Sequence, residues 1–244
     1  MSREHQVGIE VTVDLVILTI RDDELHVLLI ERGNEPFRGC QALPGGFLRP
    51  GETLEHAARR ELEEETGLDA ALLHLEQLRA YSEPNRDPRG RVITMAFLAL
   101  GPDLPIPQAG TDAAKAAWAP VSSVLPEPDL LAFDHLTILR DALERARSQL
   151  EYTTVATAFC PEPFTISDLR KVYETVWGLK LDPSNFRRKV TRADQFLEAT
   201  GERRFTEPGR PAPLYRRGPA QLLHPPLLRE GHLARRHTTA SALR

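Results

Sequence analysis

The sequence has few cysteines and no long apolar run. Only Cys40 and Cys160 occur among 244 residues, far apart and without metal-ligand spacing, so neither a disulfide framework nor a zinc site is indicated. No apolar run approaches the roughly 20 residues that cross a bilayer, and the first residues do not lead into a signal-peptide core. These absences argue against a secreted disulfide scaffold and a membrane protein, and they predict a soluble protein of the cytoplasm.

The charge is distributed unevenly along the chain. Residues 151–244 hold 16 Lys and Arg against 10 Asp and Glu, which gives a net charge of +6. Residues 1–150 hold the remaining 15 Lys and Arg and 25 Asp and Glu, which gives a net charge of −10. Such a split is typical of an acidic module joined to one that binds an anionic partner such as nucleic acid. The chain length also favours two domains.

The first part of the chain carries strand and helix patterns in alternation. Val, Ile and Leu dominate residues 11–20 and 25–31 on either side of a polar turn, which predicts a hairpin. Residues 53–66 are rich in Leu, Ala, Glu and Arg, with Thr53 and Gly67 as caps, and predict a helix. Further strands are predicted at 72–81, 91–100 and 116–120, and a second helix at 133–151. Residues 1–150 are therefore predicted to form an α/β sandwich domain.

Four glutamates lie close together on the predicted helix at residues 53–66. Because residues three and four apart share a helical face, Glu61, Glu64 and Glu65 converge, whereas Glu63 points away. Like charges at this spacing destabilise a helix by about 0.2–0.5 kcal/mol per pair, and a bound cation removes that cost. Oxygen ligands favour Mg²⁺ or Mn²⁺, which polarise phosphoryl oxygens and activate water. A solvated acidic face is the alternative explanation.

A longer spaced pattern extends over residues 46–68. It reads Gly46, five residues, Glu52, seven residues, Arg60-Glu61-Leu62, one residue, Glu64-Glu65, one residue and Gly67-Leu68. Every position matches the Nudix box, so the segment resembles the Nudix hydrolases, and the full pattern favours a metal site over a solvated helix. The resemblance implies a Nudix α/β/α sandwich and cleavage of a nucleoside diphosphate linked to another moiety. The candidate catalytic residues that it implies are Glu52 and Arg60, which would orient the ligands, and Glu61, Glu64 and Glu65, which would bind the metal.

The residue that would complete a catalytic site outside the box is left open. Nudix hydrolases typically need a further base or metal ligand there. The acidic candidates are Glu83, Asp87, Asp103 and Asp112, and the sequence does not choose among them.

The basic part of the chain has the element order of a winged helix-turn-helix. Short helices are predicted at 152–159, 167–177 and 183–193, followed by extended pieces at 196–200 and 213–216 around a loop rich in Gly, Pro and Arg. A winged-helix domain is therefore predicted at 151–218, and a flexible tail at 219–244. The expected core is Phe164, Leu169, Val172, Val176, Phe186, Val190 and Leu197. The alternative is a helical appendage with a solubilising surface.

Cations of this domain are placed where a winged helix meets DNA. Those on the third helix would enter the major groove and those on the wing would lie near the backbone. The candidate DNA-binding residues are Asn185, Arg187, Arg188, Lys189, Arg192, Arg203, Arg204 and Arg210.

Four further motifs extend the resemblance over residues 8–217. They are LPGGF at 43–47, DPRGR at 87–91, AFDH at 132–135 and NFRRK at 185–189, and together they resemble the Nudix-related transcriptional regulators of NAD metabolism, the NrtR family. That resemblance implies a sensor domain for ADP-ribose or a related NAD-derived nucleotide, and a homodimer that binds a palindromic double-stranded DNA operator. Gly45, Gly46 and Arg89 are the candidate effector-binding residues, although a plain hairpin turn is an alternative for the DPRGR motif. His135 is interpreted as structural.

Two functions are consistent with these patterns. The leading hypothesis is a transcriptional regulator, a repressor of NAD metabolism genes, whose Nudix domain senses the nucleotide. Family regulators often have a degraded box, but this box is intact, so the rival is an Mg²⁺-dependent ADP-ribose pyrophosphatase with an accessory C-terminal domain. Control of pentose catabolism is an open alternative for the target genes.

Overall fold

The computed structural model describes residues 8–67, 73–102, 104–105, 113–205 and 211–229. The chain divides into two compact units, Met1–Arg145 and Ala146–Arg244. Of the residues predicted to be functional, Asp103, Asp112 and Arg210 lie outside the described residues. Within the described part, no helix is both long and apolar enough to cross a membrane.

The first unit is built on a mixed sheet with helices. Its strands are β1 (Glu10–Arg21), β2 (Glu24–Arg32), β3 (Gln41–Ala42), β4 (Gly45–Phe47), β5 (His74–Tyr81), β6 (Val92–Leu100) and β7 (Ala113–Pro120). Its helices are α1 (Leu54–Thr66), α2 (Val121–Val124) and the first part of α3 (His135–Tyr152), which continues into the second unit. The predicted α/β class is thereby confirmed.

The sheet has the order β3-β2-β1-β6-β5, with β4 also paired to β1 and β7 also paired to β2. The pairing of β1 with β6 is parallel, and the other pairings of this sheet are antiparallel. The predicted hairpin is present between β1 and β2, where Asp22 and Asp23 have φ of 50° and 60°. Two successive positive φ values match the twist of a two-residue hairpin, and Asp tolerates them better than most residues.

Helix α1 begins and ends as its sequence predicts. The Thr53 side chain accepts a hydrogen bond from the backbone N–H of His56, and Gly67 adopts the left-handed conformation with φ of 67°. Its apolar face, with Ala58 and Leu62, packs in one buried cluster with Val13 of β1 and Phe97 of β6. This packing fixes the side of the sheet on which the glutamates of α1 lie.

The second unit contains the predicted helices and wing. A 3-10 helix at Val155–Phe159 is followed by α4 (Ile166–Trp177), α5 (Pro183–Arg192), β8 (Leu197–Arg204) and β9 (Ala212–Arg217), and the two strands pair antiparallel. Thr165 caps α4 in a capping box with Asp168, and Asp182 caps α5.

Aromatic side chains fill the core of the second unit. The Tyr173 ring lies 4.8 Å from the Trp177 ring and 5.2 Å from the Phe186 ring, both edge to face. Phe164 and Phe196 are fully buried as well. Six of the seven predicted core residues are buried and Leu197 is partly exposed, while Tyr173 and Phe196 complete a core that the apolar spacing did not include.

The chain after the wing folds back along the start of the second unit. We call residues 218–229 the fold-back segment. The N–H of Leu223 donates to the carbonyl of Tyr152 and that of Leu227 to the carbonyl of Glu151, both at 2.8 Å, and both leucines are buried. The expectation of a flexible tail from residue 219 therefore differs from the structure over residues 219–229, because two leucines of the sequence find apolar neighbours there.

Candidate functional site

A cavity of about 450 Å³ opens in the first unit where the Nudix-box segment meets the sheet. Its walls come from β1 and β2, the loop at residues 43–50, helix α1, the loop at 86–89 and the segment before α3. The cavity therefore collects residues that are far apart in the sequence.

Arg60 is the centre of the charge network on α1. Its guanidinium donates to both carboxylate oxygens of Glu52, at 2.8 and 2.9 Å, and also to Glu61 at 2.5 Å and Glu64 at 3.2 Å. Side-chain hydrogen bonds to Glu52 raise the pKa of Arg60 above its usual value, and the same contacts lower the pKa of Glu52 from 4.5 to about 2. Both groups are thus charged at neutral pH, and Glu52 holds Arg60 in place.

Two glycines before α1 lie against the buried glutamates of that helix. A Cβ atom on Gly46 would lie 2.1 Å from the Glu61 carboxylate, so a larger residue cannot occupy this position without displacing that side chain. The N–H of Gly45 donates to Glu65 at 2.9 Å. Both glutamates are buried, and burial raises the pKa of Glu61 while the hydrogen bond from Arg60 opposes the rise.

Glu64 is the exposed member of the three predicted metal ligands. Its carboxylate accepts two hydrogen bonds from Arg49, both at 3.1 Å, in addition to the one from Arg60. Among the described residues, no three Asp, Glu, His or Cys side chains are grouped as a ready metal site. In this structure Glu61 and Glu64 accept hydrogen bonds from arginines.

The residues present nevertheless fit a hard divalent cation. Glu61, Glu64 and Glu65 all line the same cavity and offer only oxygen atoms, which is the ligand chemistry of Mg²⁺ and Mn²⁺. The pair of Arg60 with Glu52 uses neither Glu61 nor Glu64 and leaves these carboxylates able to bind a cation.

A second buried network joins the sheet to the start of α3. The Arg86 guanidinium lies 2.7 Å from Asp134 and 3.3 Å from Asp14, and its side chain is only 3% exposed. Next to it, His135 Nδ1 accepts the backbone N–H of Leu43 at 2.9 Å. An accepting Nδ1 carries no proton, and burial, which lowers the pKa of His135, favours the same neutral imidazole. The interpretation of His135 as a structural residue agrees with these contacts.

Arginines and phenylalanines alternate along another wall of the cavity. The Arg89 guanidinium lies 5.0 Å from the Phe47 ring centroid and 5.4 Å from that of Phe133, and the Arg32 guanidinium lies 4.7 Å from Phe133. Burial and the positive charge of Arg89 lower the pKa of Arg32. Arg32 donates to the carbonyl of Pro36 and forms no salt bridge within the described residues.

Asp87 and Arg89 of the DPRGR motif pair with each other. Arg89 donates to Asp87 from its side chain, at 2.6 Å, and from its backbone N–H, at 2.9 Å. Burial acts to raise the pKa of Asp87, but these hydrogen bonds outweigh it, and the pKa lies below its usual value. The motif is therefore a turn held by an ion pair and also a part of the cavity wall.

The structure brings most of the predicted site together and adds residues that were not predicted. The cavity is lined by Gly45, Gly46, Arg60, Arg89 and the three predicted metal ligands. Glu52 contributes indirectly, through its hydrogen bonds with Arg60. Glu83 is not among the described residues that line the cavity. Of the open candidates for a further acidic residue, Asp87 lies in the cavity wall. Sequence reasoning missed Asp14, Arg32, Phe47, Arg86 and Phe133, although Phe47 and Phe133 fall within motifs it had singled out.

The predicted DNA-binding residues of α5 lie on two sides of the helix. Arg187, Arg188 and Arg192 are exposed, whereas Asn185 and Lys189 are partly buried. The Arg188 guanidinium donates to Asn185 Oδ1 at 2.5 Å. Within the described residues, Arg187, Lys189 and Arg192 form no salt bridge. The exposed face of α5 is therefore positively charged and open to solvent.

The wing carries two exposed arginines at the end of β8. Arg204 donates to Asp168 at 2.8 Å and to the carbonyl of Pro163 at 2.9 Å. Arg203 forms no salt bridge among the residues that the structure describes. The two neighbours therefore differ in how much of their charge is already paired.

Comparison with known families identifies both units. Residues 11–142 match the family described as NUDIX domain, and residues 156–217 match the family described as NrtR DNA-binding winged helix domain. The NUDIX match covers the cavity and the glutamates of α1. It implies dependence on a divalent metal in general terms, without fixing which metal.

Relatives with both domains are similar over most of the chain. The ADPR responsive transcriptional repressor NtrR of Acinetobacter baylyi is 33% identical over 207 residues, which are 84% of this chain and 80% of that protein. Shewanella oneidensis NrtR complexed with a 27mer DNA is 37% identical with a TM-score of 0.71, over 87% of this chain and 99% of that one. The chain belongs to the Nudix family and, within it, to the NrtR group that carries a C-terminal winged helix.

Two further similarities concern the first unit. The NUDIX domain of Shewanella oneidensis NrtR complexed with ADP ribose is 35% identical with a TM-score of 0.53, over 60% of this chain and 94% of that one. An ADP-ribose pyrophosphatase of Methanocaldococcus jannaschii is 46% identical over 124 residues, which are 50% of this chain and 68% of that protein. A ligand-binding regulator and an enzyme therefore both resemble the unit that contains the cavity.

Proposed function

We propose that the protein is a transcriptional repressor of NAD metabolism genes that binds an operator through its second unit and ADP-ribose or a related nucleotide through its first. The observation that carries the proposal is the exposed positive face of α5, where Arg187 and Arg192 form no salt bridge with any described residue, on a chain that also holds a cavity of about 450 Å³. The repressor of Acinetobacter baylyi and the DNA complex of the Shewanella protein support it.

Each unit has the chemistry that its ligand requires. Arg187, Arg188 and Arg192 offer cations to phosphates and base edges, with Asn185, Lys189, Arg203, Arg204 and Arg210 proposed to assist. In the cavity, Gly45 and Gly46 let the backbone approach the ligand, while Arg32 and Arg89 supply positive charge for its diphosphate.

The nucleotide can switch DNA binding only if it binds the DNA-competent and the released arrangements with different free energies. A homodimer on a palindromic operator would place two α5 helices about one helical turn of DNA, or a multiple of it, apart. A cytoplasmic location and the domain limits 1–150 and 151–218 are part of the same proposal.

Operator binding with and without nucleotide tests the proposal directly. Binding of the full chain to its own upstream DNA is measured by fluorescence anisotropy at fixed salt, with and without ADP-ribose and Mg²⁺, and AMP release is followed in the same sample. We expect tight, sequence-dependent binding that ADP-ribose reverses. Unchanged DNA affinity at saturating ADP-ribose would refute the sensor role, and equal affinity for unrelated DNA would refute the operator role.

A second candidate function is Mg²⁺-dependent hydrolysis of ADP-ribose. The specific observation in its favour is the intact set of Glu52, Arg60, Glu61, Glu64 and Glu65, together with the relative in Methanocaldococcus jannaschii. When bound, the metal would activate water for attack on phosphorus and polarise a phosphoryl oxygen. Glu61, Glu64 and Glu65 would hold it, and Glu52 would keep Arg60 aligned beside them.

Glu64→Gln separates this activity from regulation, and Glu63→Gln is its matched control because both glutamates are exposed on α1. If the protein is a hydrolase, Glu64→Gln should lower AMP release by about 100-fold or more, while Glu63→Gln should stay near the wild type. Both variants should bind the operator as the wild type does. Loss of operator binding in Glu64→Gln alone would contradict the assignment of separate sites.

A further inference from the structure

A second cavity lies within the second unit, beside the turn that joins α4 to α5. Its volume is about 320 Å³, at the lower end of the range of small-molecule sites. Apolar side chains provide most of its lining: Trp177, Leu179, Leu181, Phe186, Leu227 and Leu228. Trp177, Phe186 and Leu227 are buried, and Leu228 is 38% exposed at the edge. The interior of the cavity therefore favours an apolar or aromatic group.

Polar side chains surround this apolar interior and give it an excess of positive charge. Lys180 and Lys189 line the cavity together with Asp182 and Asn185. The Asp182 carboxylate already accepts the N–H of Asn185 at 2.7 Å as the cap of α5. Lys180 is almost fully exposed, 3.5 Å from Glu174, and Lys189 forms no salt bridge within the described residues. An anionic group of a ligand would meet Lys189 and, beside it, Lys180, which already forms a salt bridge with Glu174.

The fold-back segment completes this cavity. Leu227 and Leu228 line it, but the match to the winged-helix family ends at residue 217. Leu227 is held in place by the hydrogen bond of its N–H to the carbonyl of Glu151. The cavity therefore depends on residues that lie beyond the matched winged-helix range.

We propose that this cavity binds an amphipathic anion, a small molecule with an apolar or aromatic body and one negatively charged group. The apolar lining would take the body, and Lys189 with Lys180 would take the charge. Such a ligand would contact Asn185 and Lys189, two residues of α5, and would compete with DNA. Only this last consequence rests on the proposed function.

The probe for the test is 8-anilinonaphthalene-1-sulfonate, an aromatic sulfonate, titrated against the full chain with saturating ADP-ribose present. We expect one probe molecule per chain, with a fluorescence rise that ADP-ribose does not reverse. Leu228→Trp should fill the cavity and weaken probe binding by about tenfold or more. Leu222→Trp is the matched control, because Leu222 is an exposed leucine of the same segment that is not among the lining residues.

A second pair of variants tests the charge. Lys189→Gln should weaken probe binding several-fold, whereas Arg192→Gln, on the same helix and not among the lining residues, should leave it unchanged. Near-UV circular dichroism confirms that each variant is folded. Equal effects of both tryptophan variants, equal effects of both charge variants, or displacement of the probe by ADP-ribose would each overturn the proposal.

Competition with DNA is measured separately. An operator fragment should lower the apparent affinity of the probe, and the probe should lower that of the operator by the same factor. Probe binding that the operator leaves unchanged would overturn the link to DNA. A chain that binds the probe as expected but no operator would instead count against the proposed repressor function.

Discussion

Arginines in the two units of this protein have different surroundings. At the cavity of the first unit, Arg60 lies against Glu52 and Arg86 against Asp134 and Asp14. On α5 of the second unit, Arg187 and Arg192 form no salt bridge within the described residues. Carboxylates that hold an arginine fix its position, whereas an exposed arginine without one is available to an external anion. For Arg60 and Arg86 on one side and Arg187 and Arg192 on the other, the carboxylate partners therefore distinguish a positioned cation from an available one.

The largest effect on stability is expected from Arg86→Ala. It leaves Asp14 and Asp134 without their buried partner, and breaking such a pair costs about 3–5 kcal/mol. Unfolding in urea would be followed by Trp118 fluorescence in a Trp177→Phe background, because the two tryptophans lie in different units. Arg145→Ala, which breaks an exposed pair with Glu76, should cost about 1 kcal/mol or less. Similar losses of unfolding free energy in Arg86→Ala and Arg145→Ala would contradict the distinction between buried, paired arginines and surface arginines.

Arg187→Ala, in contrast to Arg86→Ala, should weaken DNA binding and leave stability nearly unchanged. If Arg187 contacts a base, the free energy of operator binding should fall by about 1–3 kcal/mol. If it contacts a phosphate, the slope of binding against salt concentration should fall by about one. In both cases the stability of the protein should change little. Anisotropy titrations at several salt concentrations measure both quantities. Lys115→Ala, an exposed cation of the first unit, serves as the control. A large stability loss in Arg187→Ala would show that this residue is structural after all.

The pair of Arg60 with Glu52 predicts a pH dependence. Because the pKa of Glu52 falls from 4.5 to about 2 on folding, its contribution to stability is present above pH 4.5 and is lost as the pH falls towards 2. Glu52→Gln should remove this part of the acid sensitivity. The difference in unfolding free energy between wild type and variant, followed by Trp118 fluorescence without divalent metal, measures it. Parallel pH profiles for the two chains would contradict the assigned pair.

The smallest effect is expected from Arg204→Ala on the wing. Its pair with Asp168 is exposed, so the loss of stability should be about 1 kcal/mol or less. Because part of its charge is already paired, operator binding should fall less than in Arg203→Ala. Trp177 fluorescence in a Trp118→Phe background and anisotropy measure the two quantities. A larger loss of operator binding in Arg204→Ala than in Arg203→Ala would contradict the idea that the unpaired arginine contributes more to DNA binding.

Much of the fold could be predicted because local patterns determine its elements. The Nudix box places Glu61 on α1 and Gly46 on the short strand β4 before it, at a fixed spacing, so their proximity follows from the sequence. Arg86 and Asp14 lie on a loop and a strand far apart in the chain, and only the parallel pairing of β1 with β6 brings them together. Such long-range contacts leave no periodic signal in the sequence.

The fold-back segment differed from expectation for a related reason. Its three prolines, Pro219, Pro225 and Pro226, are typical of a tail, and its leucines show neither a helical nor a strand period. The path of the segment is fixed because the N–H groups of Leu223 and Leu227 donate to the carbonyl groups of Tyr152 and Glu151, near the start of the unit. The sequence thus shows the composition of the segment but not the acceptors that fix its path.

The same hydrogen bonds impose an order on folding while the chain is being made. Residues 151 and 152 leave the ribosome long before Leu223 and Leu227. The hydrogen bonds that join them form only after these leucines have been made. The first unit can therefore fold while the DNA-binding unit is still incomplete. On the proposed function, a newly made chain would bind its nucleotide before its winged helix was complete.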